Sequence, residues 1–209
     1  VRTTLVHGSA VVLDLAALRA RLAAPARPRE GFVSGDAAAP RAPLRAASVL
    51  VPIVARPAEL TVLLTRRTAH LRAHSGQVAF PGGRTEPSDV SPEATALRET
   101  REEIGLAEER IEPLARLAEY RTRTGYRVTP VVGLVRPPFA LAPDPGEVDA
   151  VYEVPLSALL DPARHQLRSR AFEGRRVAYW AIEWRGIEIW GATAGMIVNL
   201  YRQLAWAAT

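Results

Sequence analysis

Residues 83–106 read GRTEPSDVSPEATALRETREEIGL, and this stretch decides the fold. Ser91 suits an N-cap, Pro92 the first helical position and Gly105 the end, so a helix is predicted over residues 91–104. At 100° per residue, with Glu99 set to zero, Glu103 lies at about +40° and Glu102 at about −60°. Three carboxylates therefore share one side of the helix. Leu97 and Ile104 fall at roughly 150°, on the opposite side. One face is built for a core and the other concentrates negative charge.

That concentration has a physical cost. Two carboxylates about 5 Å apart repel by about 3 kcal/mol at an effective dielectric near 20. Three of them raise one another's pKa unless a cation sits among them. Hard oxygen donors without cysteine point to Mg²⁺ or Mn²⁺ rather than zinc. Mg²⁺ is typically held by one or two carboxylates, waters and substrate phosphates. An acidic helix face beside the turn Pro81-Gly82-Gly83 thus reads as a diphosphate site. The plainer reading of such a helix is a solvated charged face with Arg98–Glu102 pairing at i,i+4.

Outward from this helix the chain alternates short apolar runs with turn residues. Strands are expected at residues 48–55 and 60–65, turning around Pro57-Ala58-Glu59, and at 77–80. Further strands are expected at 114–121 and 127–135, as a hairpin through Thr124-Gly125. Strands at 148–154, 177–184 and 187–190 follow, the last two joined through Arg185-Gly186. A helical turn is expected at 156–160 and an amphipathic helix at 192–206. Upstream, residues 11–22 have helical period, and residues 23–47 read as an Ala/Pro/Arg-rich loop or arm. The predicted organisation is residues 1–44 as N-terminal helix and arm and 45–209 as the main domain. The class is α+β or a mixed α/β sandwich.

Composition narrows the function. The 209 residues carry no cysteine, which excludes disulfides, thiolate metal sites and a cysteine nucleophile. The net charge is +5, and all 27 basic residues are arginine. These arginines are spread along the chain without interleaved aromatic clusters, which argues against a nucleic-acid binder. The apolar run near the N-terminus is broken by Asp14 and lacks a basic leader, and no run approaches a membrane span. A cytoplasmic protein with neither membrane nor nucleic-acid partner is expected.

The pattern Gly83-x5-Asp89-x8-Arg98-Glu99-x2-Glu102-Glu103-x-Gly105-Leu106 resembles the Nudix box. Two positions depart from the general box: Asp89 stands for Glu with one extra residue before Arg98, and Thr100 replaces an aliphatic residue. Both departures resemble the coenzyme A pyrophosphatase branch. So does the upstream stretch Leu63-Leu64-Thr65-x-Arg67-Thr68-x3-Arg72-x3-Gly76-x3-Phe80-Pro81-Gly82-Gly83, apart from Thr68, where Ser or Ala is usual. The resemblance covers residues 63–106.

It implies an α/β/α sandwich around a mixed sheet, and Mg²⁺- or Mn²⁺-dependent hydrolysis of coenzyme A or its derivatives to 3′,5′-ADP and 4′-phosphopantetheine. The alternative is a Nudix hydrolase of another nucleoside diphosphate derivative: ADP-ribose, a dinucleoside polyphosphate or an oxidised nucleotide. A non-catalytic nucleotide-binding module is a third reading, but it should have lost a box carboxylate. By the resemblance Glu99, Glu102 and Glu103 are metal ligands and catalytic, and Arg98 orients them. Gly82 and Gly83 allow close backbone approach to metal or phosphate. Arg67 and Arg72 are placed to meet substrate phosphates. Glu147, in a late loop, is the candidate extra ligand or general base, ahead of Asp149 and Glu119. His70 and His74 are four apart but Ser75-Gly76 interrupts any helix there. Trp180, Trp184 and Trp190 read as core or rim. The N-terminal helix and arm either pack in a homodimer or cover the sheet.

Overall fold

A computed structural model describes residues 13–23, 33–36, 43–69, 76–172 and 174–206. Among these residues the elements in chain order are α1 (Leu15–Ala23), β1 (Arg45–Ala55), β2 (Leu60–Arg67), β3 (Val78–Ala79), β4 (Gly82–Arg84), α2 (Pro92–Ile104), β5 (Ile111–Arg116), β6 (Tyr120–Arg121), β7 (Tyr126–Val135), β8 (Val148–Pro155), the single turn α3 (Leu156–Leu159), β9 (Gln166–Phe172), β10 (Arg175–Trp184), β11 (Ile187–Trp190) and α4 (Ala192–Trp206).

The architecture is an α/β/α sandwich. Its central sheet runs β3-β2-β1-β7-β5, with β4 also pairing β1, β6 pairing β7 and β8 pairing β2. The sheet is mixed: β1 and β7 run parallel from Arg45↔Tyr126 to Val54↔Val135, and the other pairings are antiparallel. Strands covered on both faces need apolar side chains at successive positions. In β1, Leu50 and Val54 pack on the α2 side with Leu63, Ala96, Ile104, Val131 and Val135. Val51 and Ile53 point the other way, into the larger core that includes Leu18 and Leu22 of α1 and Ile197, Leu200 and Leu204 of α4. A second, antiparallel sheet β11-β10-β9 adds Ile182 and Ile189 to that core. Trp180 and Trp184 pack at its margin, as the core-or-rim reading expects.

Several local expectations are corrected. The helix expected from residue 11 starts at Leu15; residues 11 and 12 lie outside the described set. The strand expected at 114–121 is two strands: β5 starts earlier, carries a register shift against β7 between Pro113 and Ala115 and ends at Arg116, and pairing with β7 resumes in β6 at Tyr120. The turn expected at Pro81-Gly82-Gly83 is in part strand: Gly82–Arg84 forms β4 against Ala47–Val49. Strand β9 was not expected at all. The α1 helix lies within its own chain, its Leu18 and Leu22 buried and Arg19 paired with Glu112 of the sheet at 2.7 Å. No helix among the described residues is long and apolar enough to cross a membrane.

Candidate active site

Helix α2 is fixed at both ends by the chemistry its sequence carries. The Ser91 hydroxyl accepts from the Ala94 N–H at 3.2 Å, and Pro92 occupies the first turn. Gly105 takes a left-handed conformation (φ 66°) and donates its N–H to the Arg101 carbonyl at 2.9 Å. Thr100, which stands at an apolar box position, is fully buried and donates to the Ala96 carbonyl at 2.7 Å. A hydroxyl satisfied by its own helix costs the core little.

The acidic face of α2 opens onto a cleft of about 700 Å³ lined by Glu99 and Glu103 of the helix, Gly82, Gly83 and Arg84 of β4, the loop Thr85-Glu86-Pro87, Arg67 and Glu147. The two glycines are required by close approach. A Cβ on Gly83 would stand 2.4 Å from Glu99 Oε2, and one on Gly82 (φ +150°) 2.4 Å from the Ser48 carbonyl oxygen. A side chain at Gly82 would push β4 away from β1, and one at Gly83 would displace the Glu99 carboxylate.

Arg98 organises the rim. Its Nε and Nη2 donate to the two oxygens of Asp89 at 3.1 and 2.9 Å, and Nη1 donates to Glu99 at 3.0 Å and Glu102 at 3.1 Å. Nη2 also reaches the Arg84 carbonyl at 3.0 Å. One guanidinium therefore ties the 84–89 loop to two helix carboxylates. Asp89 also accepts from the Thr95 hydroxyl and the Glu86 N–H, so it holds the loop rather than standing solvated.

The late loop is held just as specifically. Ala142 and Asp144 donate backbone N–H groups to the Ile104 and Glu103 carbonyls at the helix end. The Glu147 carbonyl accepts from the Thr68 N–H at 3.0 Å, and the Thr68 hydroxyl donates to the Gly146 carbonyl at 3.3 Å. Thr68, unusual in the upstream motif, thereby helps seat Glu147.

Electrostatics mark the cleft as short of positive charge. Glu103 is 5% exposed. Burial is the main force pushing its pKa up to about 8; Glu147 and Glu99 add to the shift, while Arg67 and the Gly82 N–H oppose it. Arg67 stands 3.6 Å from Glu103. Burial also raises Glu99, against the pull of Arg98, with Glu102 and Glu147 adding repulsion. The donors are hard oxygens, chemistry that fits Mg²⁺ or Mn²⁺. As the side chains stand, no three acidic or histidine groups among the described residues form a set that could hold an ion together.

Of the residues singled out from sequence, Glu99, Glu103, Glu147, Arg67, Gly82 and Gly83 meet in this cleft. Glu102 stands outside its lining, half exposed and paired with Arg98. Asp149 pairs with Arg66 at 2.6 Å and Glu119 with Arg127 at 3.6 Å, both outside the lining. Arg72, His70 and His74 lie outside the described residues. The wall formed by Arg84, Thr85, Glu86 and Pro87 was not anticipated. Its signal was present only as the unspecified gap between Gly83 and Asp89.

The NUDIX domain model matches residues 44–173. The chain belongs to the Nudix family. It is 42% identical over 160 residues to a Photorhabdus laumondii protein named as an uncharacterized Nudix hydrolase, NudL, covering 77% of this chain and 85% of that one. A Yersinia pestis protein of the same name is 41% identical over 161 residues, covering 77% and 80%. Among solved structures, the Nudix hydrolase RenU of M. smegmatis matches with 25% identity and a TM-score of 0.48, over 56% of this chain and 74% of that one. The family match shows that the chain carries a Nudix hydrolase module, consistent with pyrophosphatase activity on acid anhydrides.

Proposed function

We propose that this Nudix hydrolase cleaves the diphosphate bridge of coenzyme A or a derivative, using Mg²⁺ or Mn²⁺ and releasing 3′,5′-ADP and a 4′-phosphopantetheine moiety. The observation that carries the hydrolase reading is the shared cleft of Glu99, Glu103 and Glu147, with the Gly82-Gly83 backbone as floor and Arg67 as counter-charge. Glu99 and Glu103, with Glu102 at the rim, would hold the metal. When bound, the ion neutralises the diphosphate and lowers the pKa of a water. The Glu147 carboxylate takes a proton from the attacking water. A new P–O bond forms to that water as the bridging P–O bond breaks, leaving one phosphate on each product. Arg67 is assigned to the substrate's phosphates, and so, by the residue 63–83 motif alone, is Arg72; Arg98 orients Glu99 and Glu102, and the side-chain-free Gly82 and Gly83 let a phosphate oxygen approach the backbone.

The coenzyme A assignment draws its support from the residue 63–83 motif. The family match and the relatives reach only as far as Nudix chemistry, and they back the broader alternative better than the coenzyme A reading: ADP-ribose, a dinucleoside polyphosphate or an oxidised nucleotide as substrate. The test is to incubate the protein with Mg²⁺ or Mn²⁺ and each of these compounds, separating products by chromatography. Coenzyme A converted to 3′,5′-ADP supports the assignment. Turnover confined to ADP-ribose or dinucleoside polyphosphates moves it to the alternative. Binding without cleavage of any compound removes catalysis altogether.

A further inference from the structure

Arg84 is a cation that neither sequence motif specifies, because it falls in the unspecified gap after Gly83. It lines the same cleft as Glu99, Glu103 and Glu147, and it is exposed. Its backbone is fixed: Arg84 pairs with Ala47 across β1 and β4, its carbonyl accepts from Arg98 Nη2 at 3.0 Å, and the next N–H, of Thr85, donates to the Ala46 carbonyl at 3.1 Å. Its guanidinium, in contrast, has no hydrogen bond, ion pair or ring contact among the described residues. Two other described cations of the site, Arg67 and Arg98, are committed. Arg67 faces Glu103 at 3.6 Å, and Arg98 spends its donors on Asp89, Glu99, Glu102 and the Arg84 carbonyl.

Among the described residues the lining therefore sets four glutamates against two arginines, of which one is already neutralised by its neighbour. A polyanion entering such a cleft meets repulsion from the carboxylates. A divalent ion offsets part of it, and a guanidinium with all its donors unused supplies the rest. We infer that Arg84 is a substrate-binding residue that grips the diphosphate of the substrate, and that Arg67 serves chiefly to balance Glu103. This rests on the reading of the cleft as a nucleoside diphosphate site.

The experiment is calorimetric titration of ADP in the presence of Mg²⁺ into the wild-type chain and into Arg84→Ala, Arg84→Lys and Arg110→Ala. Arg110 is exposed and lies outside the cleft lining, so it controls for loss of one charge. Arg84→Ala should weaken ADP binding by about tenfold or more, the scale of a charged hydrogen bond. Arg84→Lys should fall between, since a point charge replaces a fork. Arg110→Ala should bind as wild type, and melting temperatures should match throughout. On the substrate that the panel identifies, Arg84→Ala should raise KM by a similar factor with kcat within about threefold. Wild-type affinity in Arg84→Ala, an equal loss in Arg110→Ala, or a fall in kcat at constant KM each overturns the assignment to Arg84 while leaving the cleft's reading intact. A wild-type chain that does not bind Mg²⁺-ADP removes both.

Discussion

Glu103 is held 5% exposed beside Glu99 and Glu147, with Arg67 as its nearest counter-charge. A carboxylate in that position burdens the fold by its burial, and the proposed metal role would turn that burden into an asset. Glu103→Gln keeps the shape and removes the charge. Turnover with Mg²⁺ should drop by more than the roughly 10–100-fold that outer partners of a metal site cost. Circular dichroism and melting temperature should hold or rise, because the buried charge is gone. Unimpaired turnover in this variant rejects the ligand role. Asp89 is the opposite case, a carboxylate that stabilises the fold. Its side chain is 5% exposed, and Arg98 foremost holds its pKa well below the usual carboxylate range. Asp89→Asn should cost about 2 kcal/mol, a fall of roughly 4–8 °C in melting temperature for a chain this size. The sign with pH follows from the depressed value: the folded chain binds fewer protons at this site than the unfolded one, so the contribution is present above about pH 4 and fades as acid protonates it. The gap between wild type and Asp89→Asn, measured by thermal melts, should narrow from pH 6 to pH 3. A gap independent of pH would sink the charge-based account.

Helix α2 shows why part of this fold was legible and part was not. Its boundaries sit in the sequence as Ser91-Pro92 and Gly105, residues whose backbone chemistry stops and starts helices regardless of context. Ser91→Ala should cost about 1 kcal/mol and lower the melting temperature by roughly 2–4 °C, with kcat near wild type, since the cap lies a full turn or more from Glu99. A loss of turnover matching Glu103→Gln would show instead that the cap governs the site. Strands β1 and β7 were legible as apolar runs because both their faces are buried. Strand β9, whose sequence is QLRSRAF, was not: an edge strand carrying Arg168 and Arg170 hides its period behind charge. The same division runs through the site. Helical spacing puts Glu99, Glu102 and Glu103 on one side of α2 and the box resemblance makes them site candidates, but only Glu99 and Glu103 line the cleft. Glu147 is reached only through the loop that docks on the helix end, and was readable as an acidic residue in a late loop but not as a neighbour of Glu103. The Arg84–Pro87 wall depends on where Arg98 pins the loop, a contact that no local pattern announces.

At the scale of the molecule, segments outside the matched Nudix region close on one another across the core. Leu18 and Leu22 of α1 are buried with Ile197, Leu200 and Leu204 of α4. Arg21 donates to the Leu204 carbonyl at 3.0 Å. Farther along, the Asn199 side chain, 1% exposed, accepts from the Val33 N–H at 2.8 Å and donates to the Val33 carbonyl at 2.9 Å. Residues 33–36 are then stitched to β6: Asp36 accepts from the Tyr120 hydroxyl and the Arg123 N–H, and Arg121 exchanges backbone bonds with Ser34 and Asp36. These flanks cover the face of the sheet opposite α2, the layer that lets β1 and β7 bury both sides. If they are one cooperative unit with the Nudix core, Leu18→Ala, which empties a fully buried site, should cost about 2–5 kcal/mol and lower a single melting transition that far-ultraviolet and near-ultraviolet dichroism report at the same temperature. The cleft lies on the other face, so kcat below the transition should stay close to wild type. A separate early transition that leaves turnover and most of the sheet signal intact would show that α1 and α4 melt as an appendage. In that case the helices shield the sheet without being needed to hold it together.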